Sequence, residues 1–396
     1  MKIVLVSAGF PPVQDGIGDY THKVYGEMKR QLGPDNVHVI TGTCESRISD
    51  DAHVLSVVER WNLRGIRIVL NAIREIRPDV VHIQYPFYPQ GERGRSLYMS
   101  LLPFLLRILI ARVRVCCTIH EFDNKTLKGK LCLLASMACS HQTLIVKEAY
   151  RKDILRVCRL LSRRITYVPI GSNISDHETP PSRKLEIRES IGWAKTDPIL
   201  AYFGLLREGK GIDSLIDMFL TARKTIGNLR LLLIGGFMSG FDEDALLQQL
   251  RTADALKSVL MTGWVNEEKA SEYLATADVC VLPYEDGVST KRGGFMAAVE
   301  HCRPIVTTRP TDRIDELQNG QNVVLVPPGN VLELAKTIRA IVNDQDLRET
   351  LRKNVADLKH HYSWEVIVKK HIELYQASSN GSRDRNHQTY EDKVRR

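Results

Sequence analysis

The sequence predicts an α/β protein built from two doubly wound parallel sheets. Short apolar segments alternate with amphipathic segments along most of the chain, which is typical of parallel strands covered by helices on both faces. The 396 residues suit two domains better than one, and the apolar and charged fractions of 43% and 26% are those of an ordinary globular protein. We therefore expect two Rossmann-like domains with six strands each.

The expected strands are runs of four to seven residues rich in Val, Ile and Leu. In the first half they are Ile3–Val6, Val37–Ile40, Val80–Ile83, Val113–Ile119, Thr143–Val146 and Ile165–Val168. In the second half they are Ile199–Phe203, Leu231–Ile234, Val259–Thr262, Val279–Leu282, Ile305–Thr308 and Val323–Val326.

The domain boundaries follow from changes in composition. A polar stretch with prolines between Gly171 and Pro181 predicts a linker, so the expected domains are residues 1–174 and 184–361. A last helix is expected within residues 362–377. The tail over 378–396 has no apolar periodicity and is expected to be disordered.

The apolar segment Met99–Ile110 is shorter than the ~20 residues that a bilayer span needs. We interpret it as a buried helix, with a helix lying in a membrane interface as the alternative, because Arg107, Arg112 and Arg114 accompany its Leu and Phe residues. The eight cysteines show no metal-ligand spacing and the N-terminus shows no secretory leader, so we expect reduced thiols in a cytoplasmic protein.

The formal charge of +8 is unevenly distributed. One segment is crowded with cations: Lys147, Arg151, Lys152, Arg156, Arg159, Arg163 and Arg164. Such a segment suits phosphate-rich lipid, an anionic substrate or nucleic acid, and a solvated helix face is the alternative.

The segment LAYFGLLREGKGI, residues 200–212, carries the strongest chemical signal. An apolar strand leads through glycines at 204, 209 and 211 to a helix that begins near Ile212, and Arg207 and Lys210 lie between them. The glycines allow close approach of the backbone, and the helix start directs N–H groups at an anion. This pattern predicts a diphosphate site, and a solvated loop is the alternative.

Three further clusters follow predicted strands. Gly16 and Gly18 precede the first helix, but the third glycine of a dinucleotide fingerprint is missing, so a hydride-transfer enzyme is not expected. His120 follows the fourth strand and shares a sheet edge with Gln84 and Tyr85; an ordinary hydrogen-bonded histidine is the alternative. In the C-terminal half the run Ser289, Thr290, Lys291, Arg292, Gly293 and Gly294 precedes a helix and predicts an anion site, with a flexible basic loop as the alternative.

Two Asp-x-Asp pairs resemble metal-diphosphate motifs. They are Asp242 with Asp244 and Asp344 with Asp346, and both pairs stand at predicted helix starts. We expect these carboxylates to cap helix N–H groups instead of binding metal.

Taken together, these segments resemble family 4 glycosyltransferases of the GT-B fold. The resemblance rests on VLVSAGFPPVQDGIGDYTHKV, TIHEFDN, VPIGSNI, the diphosphate segment and VLPYEDGVSTKRGGFMAAVEHCRPIVTTRP. It implies two Rossmann-like domains facing across a cleft, with a last helix that crosses back to the first domain. It also implies transfer of a sugar from a nucleotide-diphosphate donor to a hydroxyl acceptor with retention of configuration, in polysaccharide or glycolipid assembly.

The resemblance assigns roles to residues of this sequence. The catalytic residues are His120, Arg207 and Lys210, with His120 contacting the transferred sugar. The acceptor side contains Asp19, Gln84 and Tyr85. The donor-binding residues are Gly16, Gly18, Arg207, Lys210, Ser289, Thr290, Arg292, Gly293 and Gly294.

The sequence departs from the family pattern at three positions. Where family members carry two glutamates separated by seven residues, this chain has Ser289 and Ala297, and where they carry an arginine it has Leu206. We interpret the basic loop as a trait of a subgroup. No metal and no cofactor are expected, since the nucleotide sugar is a substrate.

The expected partners are the nucleotide-diphosphate sugar and a sugar or lipid-linked acceptor, with peripheral contact at the inner face of a membrane and no nucleic acid. A nucleotide-sugar-binding pseudoenzyme and a sugar-nucleotide epimerase of the same fold are the alternatives.

Overall fold

The computed structural model describes residues 1–13, 15–44, 50–87, 98–122 and 126–377. These residues divide into two compact units, Met1–Gly171 together with the C-terminal segment from Trp364, and Ser172–Ser363. The predicted tail over 378–396 lies outside the described residues.

The first unit contains a parallel sheet of seven strands in the order β3-β2-β1-β4-β5-β6-β7. The strands are β1 Ile3–Val6, β2 Val37–Gly42, β3 Val54–Val58, β4 Val80–Tyr85, β5 Arg114–Ile119, β6 Gln142–Ile145 and β7 Ile165–Tyr167. The helices are α1 Gly16–Leu32, α2 Leu63–Ile76, α3 Leu102–Leu109, α4 Leu127–Cys139 and α5 Ala149–Val157, and a last helix, α13, covers 364–377.

Both faces of this sheet are covered, which explains why its strands are continuous apolar runs. Side chains alternate along a strand, so Ile3 and Leu5 of β1 face one way and pack with α1 and α13. Val4 and Val6 face the other way, into a core shared with α2, α3, α4 and α5. The helices α3, α4 and α5 therefore form part of one outer layer.

The second unit contains a parallel sheet of six strands in the order β10-β9-β8-β11-β12-β13. The strands are β8 Ile199–Phe203, β9 Arg230–Ile234, β10 Val259–Met261, β11 Val279–Leu282, β12 Ile305–Thr308 and β13 Val324–Val326. The helices are α6 Pro181–Ser190, α7 Ile212–Arg223, α8 Glu243–Thr252, α9 Glu267–Thr276, α10 Gly293–Glu300, α11 Val331–Asn343 and α12 Gln345–His361.

The predicted fold class is confirmed, because both units are doubly wound α/β domains with parallel sheets. All twelve predicted strands are present, with ends that differ by at most two residues. The strand β3 was not predicted. It pairs on one side only, at the edge of its sheet, and three of its five residues are partly buried with one exposed, so its apolar pattern is weak.

The prediction of a buried helix over Met99–Ile110 is wrong in part. In α3, Leu102, Pro103 and Leu106 are buried, whereas Phe104 and Ile108 are exposed. With Arg107 as its one polar residue, the sequence of α3 gives little indication of which side of the helix faces solvent. Within the described ranges, no helix is long and apolar enough to cross a membrane.

Candidate functional site

The loop between β8 and α7 has a backbone that only glycine adopts easily. Gly204, Gly209 and Gly211 have φ angles of +140°, +78° and +70°. A Cβ on Gly211 would lie 1.8 Å from the carbonyl oxygen of Pro283, which follows β11. The loop is therefore held directly against the end of β11, and α7 begins there without a side-chain cap for its first N–H groups.

Two cations from different loops meet at the ring of Tyr284. The Lys210 Nζ lies 5.5 Å from the ring centroid, and the Arg292 Cζ lies 4.7 Å from it. Tyr284 is buried, and its hydroxyl is hydrogen-bonded to the backbone N–H of Phe295 in α10. The ring therefore positions both cations beside the start of a second helix.

Arg292 and Ser289 contain buried polar atoms that no described residue satisfies. The guanidinium of Arg292 pairs with Asp286, and its side chain is 12% exposed, yet its Nε has no hydrogen-bond partner among the described residues. The Ser289 Oγ is in the same situation. A buried polar atom left unsatisfied costs about 1–3 kcal/mol, so two of them beside a cation cluster indicate a ligand-binding site.

The electrostatics of the loop pair favour an anion. Burial and the positive charges of Arg292 and Arg207 together lower the pKa of Lys210 to about 8, while Asp286 acts in the opposite direction. A cation whose pKa is depressed by neighbouring cations is stabilised when an anion binds between them. The N-cap residue of α10, Arg292, makes no capping hydrogen bond with its side chain, so the partial positive charge of this helix start also favours an anion.

The first unit has its own polar cluster at the carboxyl ends of β4 and β5. His120 is partly buried, its Nε2 lies 2.9 Å from the Gln84 Oε1, and its ring packs edge-on against Tyr20 with centroids 4.7 Å apart. Burial lowers the pKa of His120 to about 3. The imidazole is therefore neutral at neutral pH and acts as a hydrogen-bonding group instead of a cation.

The start of α1 is already capped by a carboxylate. Asp15 accepts hydrogen bonds from the N–H groups of Gly18, at 2.9 Å, and Ile17, at 3.4 Å. A Cβ on Gly18 would lie 3.0 Å from the carbonyl carbon of Gly9, so this glycine allows the helix to pack against its own loop. Gly16 is exposed, and Asp19 is partly buried in the first turn of the helix.

The structure does not place the Tyr85 side chain with those of His120 and Gln84. Neighbouring residues of a strand point to opposite faces, so Tyr85 points away from Gln84 into the core beneath α3. It is buried, and its hydroxyl donates to the Met99 carbonyl at 2.7 Å. The prediction that Tyr85 is an acceptor-side residue is therefore wrong, because its side chain is buried in the core.

The first residue of each Asp-x-Asp pair caps a helix, as predicted. Asp242 accepts from the Ala245 N–H at 2.9 Å at the start of α8, and Asp344 accepts from the Leu347 N–H at 2.8 Å at the start of α12. The capping interpretation of these two residues is confirmed.

Comparison with known proteins gives a domain match and a fold match. Residues 197–344 match the family model "Glycosyl transferases group 1". An uncharacterised glycosyltransferase of Methanocaldococcus jannaschii is 24% identical over 397 residues, which covers 96% of this chain and 99% of that protein. The capsular polysaccharide biosynthesis glycosyltransferase CapM of Staphylococcus aureus is 25% identical over 249 residues, 61% of this chain and 62% of CapM.

Solved structures share the arrangement over nearly the whole chain. The Anabaena protein HepE, in complex with UDP and glucose, superposes with a TM-score of 0.74 at 15% identity, covering 95% of this chain and 100% of that one. The chain is a glycosyltransferase of the GT-B type. The loops that bring Lys210 and Arg292 to Tyr284 both lie within the matched domain of this glycosyltransferase.

The structure thus brings together most of the predicted donor-binding residues of the second unit. Ser289, Arg292, Gly293 and Gly294 share the loop between β11 and α10, where Thr290 is buried, and Lys210 joins them across the Tyr284 ring. Arg207 is exposed, and its guanidinium donates to the Glu208 carbonyl at 3.4 Å.

Sequence reasoning missed Tyr284 and Asp286 in this glycosyltransferase. The available signal was an aromatic residue and an acid directly after a strand, at the sheet edge where α/β proteins bind ligands. Tyr284 and Asp286 matter because Lys210 and Arg292 lie next to them, and this proximity exists only in the folded loops.

Two adjacent glycines at the start of α10 give a stability prediction. A Cβ on Gly294 would lie 2.3 Å from the Phe203 carbonyl oxygen, whereas a Cβ on Gly293 meets open space. We expect Gly294→Ala to lower the free energy of unfolding by about 2 kcal/mol, within the usual cost of overpacking, and the melting temperature by roughly 4–8 °C. Gly293→Ala is the matched control and should melt like the wild type. Calorimetry that gives equal melting temperatures for the two variants would contradict this packing.

Proposed function

We propose that this glycosyltransferase moves a sugar from a nucleotide-diphosphate donor to a hydroxyl acceptor with retention of configuration. The observation that carries the proposal is the group of buried, unsatisfied donors in Ser289 and Arg292 beside the half-buried Lys210. The UDP and glucose present in the HepE structure support a nucleotide-sugar donor. Retention and hexosyl transfer are implied by the family resemblance.

The diphosphate leaving group determines what the site must do. Negative charge develops on the departing diphosphate in the transition state, and positive charge develops on the sugar ring. Each cation–phosphate pair at about 4 Å is worth of order 4 kcal/mol at an effective dielectric near 20, before desolvation. Lys210, Arg292 and the starts of α7 and α10 are fixed before the reaction, so they stabilise this charge without reorganisation.

The proposed reaction is metal-independent. The charge of the leaving group is offset by the side chains of Lys210 and Arg292, with Arg207 adding to the positive field around them. This is the role that a divalent cation would otherwise play. Gly16 and Gly18 remain proposed donor-side residues through the family resemblance.

His120 is proposed to contact the transferred sugar. A neutral imidazole suits a hydrogen bond to a sugar hydroxyl, and Gln84 fixes its orientation by pairing with Nε2. Asp19 and Gln84 remain the proposed acceptor-side residues.

The missing glutamates are proposed to be replaced by the basic loop. Ala297 is buried within α10 and has no polar group to offer. Ser289 stands at the other position, and its unsatisfied Oγ is available to a sugar or ribose hydroxyl. The donor would then be held by hydroxyl and guanidinium groups instead of carboxylates.

The pKa of Lys210 gives a prediction for the pH dependence. Only the protonated amine attracts a diphosphate, so kcat/KM for the donor should fall as the pH rises through about 8. Lys210→Arg carries a guanidinium that stays protonated, so its residual activity should lack this decrease. The measurement is a pH profile of initial rates for both proteins. A decrease near pH 8 that persists in Lys210→Arg would assign the titration to another group.

A curated relative suggests the kind of acceptor, and the cellular location is proposed with it. The name of CapM places that relative in capsular polysaccharide biosynthesis, which supports polysaccharide or glycolipid assembly for this chain. We propose a sugar or lipid-linked acceptor and a cytoplasmic location in peripheral contact with the inner face of a membrane.

The test begins with a thermal-shift screen of nucleoside diphosphates and their sugars. A ligand at 100 times its Kd should stabilise the protein by about 2.7 kcal/mol. The donor found in this way is then incubated with and without candidate acceptors, and released nucleoside diphosphate and glycosylated product are both measured. Product that depends on the acceptor supports a transferase. Binding without turnover indicates a pseudoenzyme, and conversion of the donor without an acceptor to another sugar nucleotide indicates an epimerase.

A further inference from the structure

The positive charge of the chain is concentrated in one segment, residues 98–164, which contains the outer helices of the first unit. Residues 98–164 contain thirteen Lys and Arg but only four Asp and Glu, a surplus of nine, whereas the whole chain has a surplus of eight. The rest of the molecule is therefore nearly neutral. This segment contains α3, α4, α5 and the 3-10 helix Arg159–Arg164 that follows α5.

The same layer exposes large apolar side chains. On α3, Phe104 is 49% exposed and Ile108 is 62% exposed. On α4, Leu127 is 76% exposed and Leu131 is 55% exposed, and in the 3-10 helix Leu160 is 90% exposed. Single exposed leucines are normal, but a repeat on three neighbouring elements is typical of an interaction surface.

These side chains lie on one continuous layer. In the last turn of α4, the Ser136 hydroxyl donates at 3.1 Å to the carbonyl of Ser100, which lies in the short 3-10 helix Tyr98–Leu101 directly before α3. The Arg164 guanidinium donates to the Ala138 carbonyl at 2.9 Å, which ties the 3-10 helix Arg159–Arg164 to the same C-terminal end of α4. The inward residues Leu106, Met137 and Ile154 share one core, so the opposite sides of these helices face outward together.

Cations are interleaved with the exposed apolar residues. Arg107 lies on the exposed side of α3, Lys128 on that of α4, and Arg159 and Arg163 flank Leu160. Some cations are partly neutralised, because Arg151 pairs with Glu148 and Arg156 with Asp153. We call the surface formed by the outward residues of α3, α4 and the 3-10 helix the apolar-basic face.

We infer that the apolar-basic face docks on an anionic phospholipid bilayer. Leucine, isoleucine and phenylalanine side chains suit the boundary between headgroups and acyl chains, and the surrounding cations complement anionic headgroups. A nucleic acid would bind the cations through its phosphates, but it would leave the exposed leucines in water. The inference rests on the proposed peripheral location of the protein at a membrane. It adds the surface that makes the contact.

The inference is tested by co-sedimentation of the full chain with vesicles of phosphatidylcholine, with and without phosphatidylglycerol. We expect the wild type to bind the anionic vesicles in preference, and added salt to weaken the binding. The variant Phe104→Ser with Ile108→Ser and Leu131→Ser should lose at least about tenfold in partition coefficient. Lys128→Glu with Arg159→Glu should lose about fivefold or more for each cation removed.

Controls separate this surface from general effects. Leu332→Ser changes an exposed leucine on α11 of the second unit, and Arg251→Glu changes an exposed arginine on α8, and both should bind vesicles like the wild type. All variants should keep the wild-type melting temperature and affinity for the nucleoside diphosphate. Because the vesicle assay does not involve the reaction, a chain that binds vesicles but transfers no sugar would contradict only the proposed reaction.

Three results would overturn the inference. The first is a wild type that does not bind anionic vesicles, and the second is a set of variants that bind as well as the wild type. The third is a wild type that binds no vesicles but self-associates or binds RNA, with variants that lose this property. Such a result would identify the partner as a second copy of the chain or as a nucleic acid.

Discussion

Lys210→Ala is expected to reduce kcat/KM for sugar transfer by at least about a hundredfold, since removing one preorganised donor from an anionic transition state costs of this order. Its amine is half-buried and, like the Arg292 guanidinium, lies over the Tyr284 ring. The melting temperature should stay the same or rise slightly. The folded-state pKa of about 8 is below the ordinary value of 10.5, so the charged amine costs stability at every pH below about 8.

The control for this variant is Lys224→Ala, at the other end of α7. Lys224 is exposed and follows the last residue of that helix, so its removal should leave the rate unchanged. Arg207→Ala should cost less than Lys210→Ala, because Arg207 is exposed and solvent screens its charge. Wild-type turnover in both Lys210→Ala and Arg207→Ala would rule out the diphosphate assignment.

Arg292→Ala is expected to have a comparable effect on donor binding. It removes the guanidinium over Tyr284 and leaves Asp286 without its partner, so an uncompensated carboxylate remains close to the incoming diphosphate. We expect kcat/KM for the donor to fall by about a hundredfold or more. Steady-state kinetics with the donor varied give the measurement.

A conservative replacement distinguishes charge from geometry at this position. Arg292→Lys keeps the positive charge but lacks the planar fork that stacks on Tyr284 and pairs with a phosphate, so its loss should be intermediate, about tenfold. Arg251→Ala, on the exposed side of α8, is the control and should leave kcat/KM for the donor unchanged. If Arg292→Lys is as active as the wild type, bidentate recognition by this residue is not required.

The fold was predictable because its strands are covered on both faces. In β1, all four residues are buried, so the strand is an unbroken apolar run that pattern analysis detects. The edge strand β3 lacks a partner on one side and was missed for that reason. The exposed side of α3 was also missed, because Arg107 is its one polar residue and the rest of its solvent face consists of apolar side chains such as Phe104 and Ile108.

The candidate site was predictable where the backbone itself imposes a residue type. Gly211 and Gly294 are forced by the carbonyl oxygens of Pro283 and Phe203, and these glycines are visible in the sequence. The direction of Tyr85 was not predictable from its position at a strand end, because a shift of one residue reverses the face that a side chain occupies. The meeting of Lys210 and Arg292 over Tyr284 joins loops that are about eighty residues apart, and only the packed sheet shows it.

The central claim is that the second unit holds a preformed cationic site for a nucleoside diphosphate. Calorimetric titration of UDP, GDP and ADP, each beside its own nucleoside, tests it in the wild type and in Lys210→Ala with Arg292→Ala. Two charge-assisted hydrogen bonds are worth about 3 kcal/mol or more, so one diphosphate should bind at least about a hundredfold more tightly than its nucleoside. The double variant should lose this preference. Equal binding of diphosphate and nucleoside by the wild type, or a preference that survives in the double variant, would contradict the account.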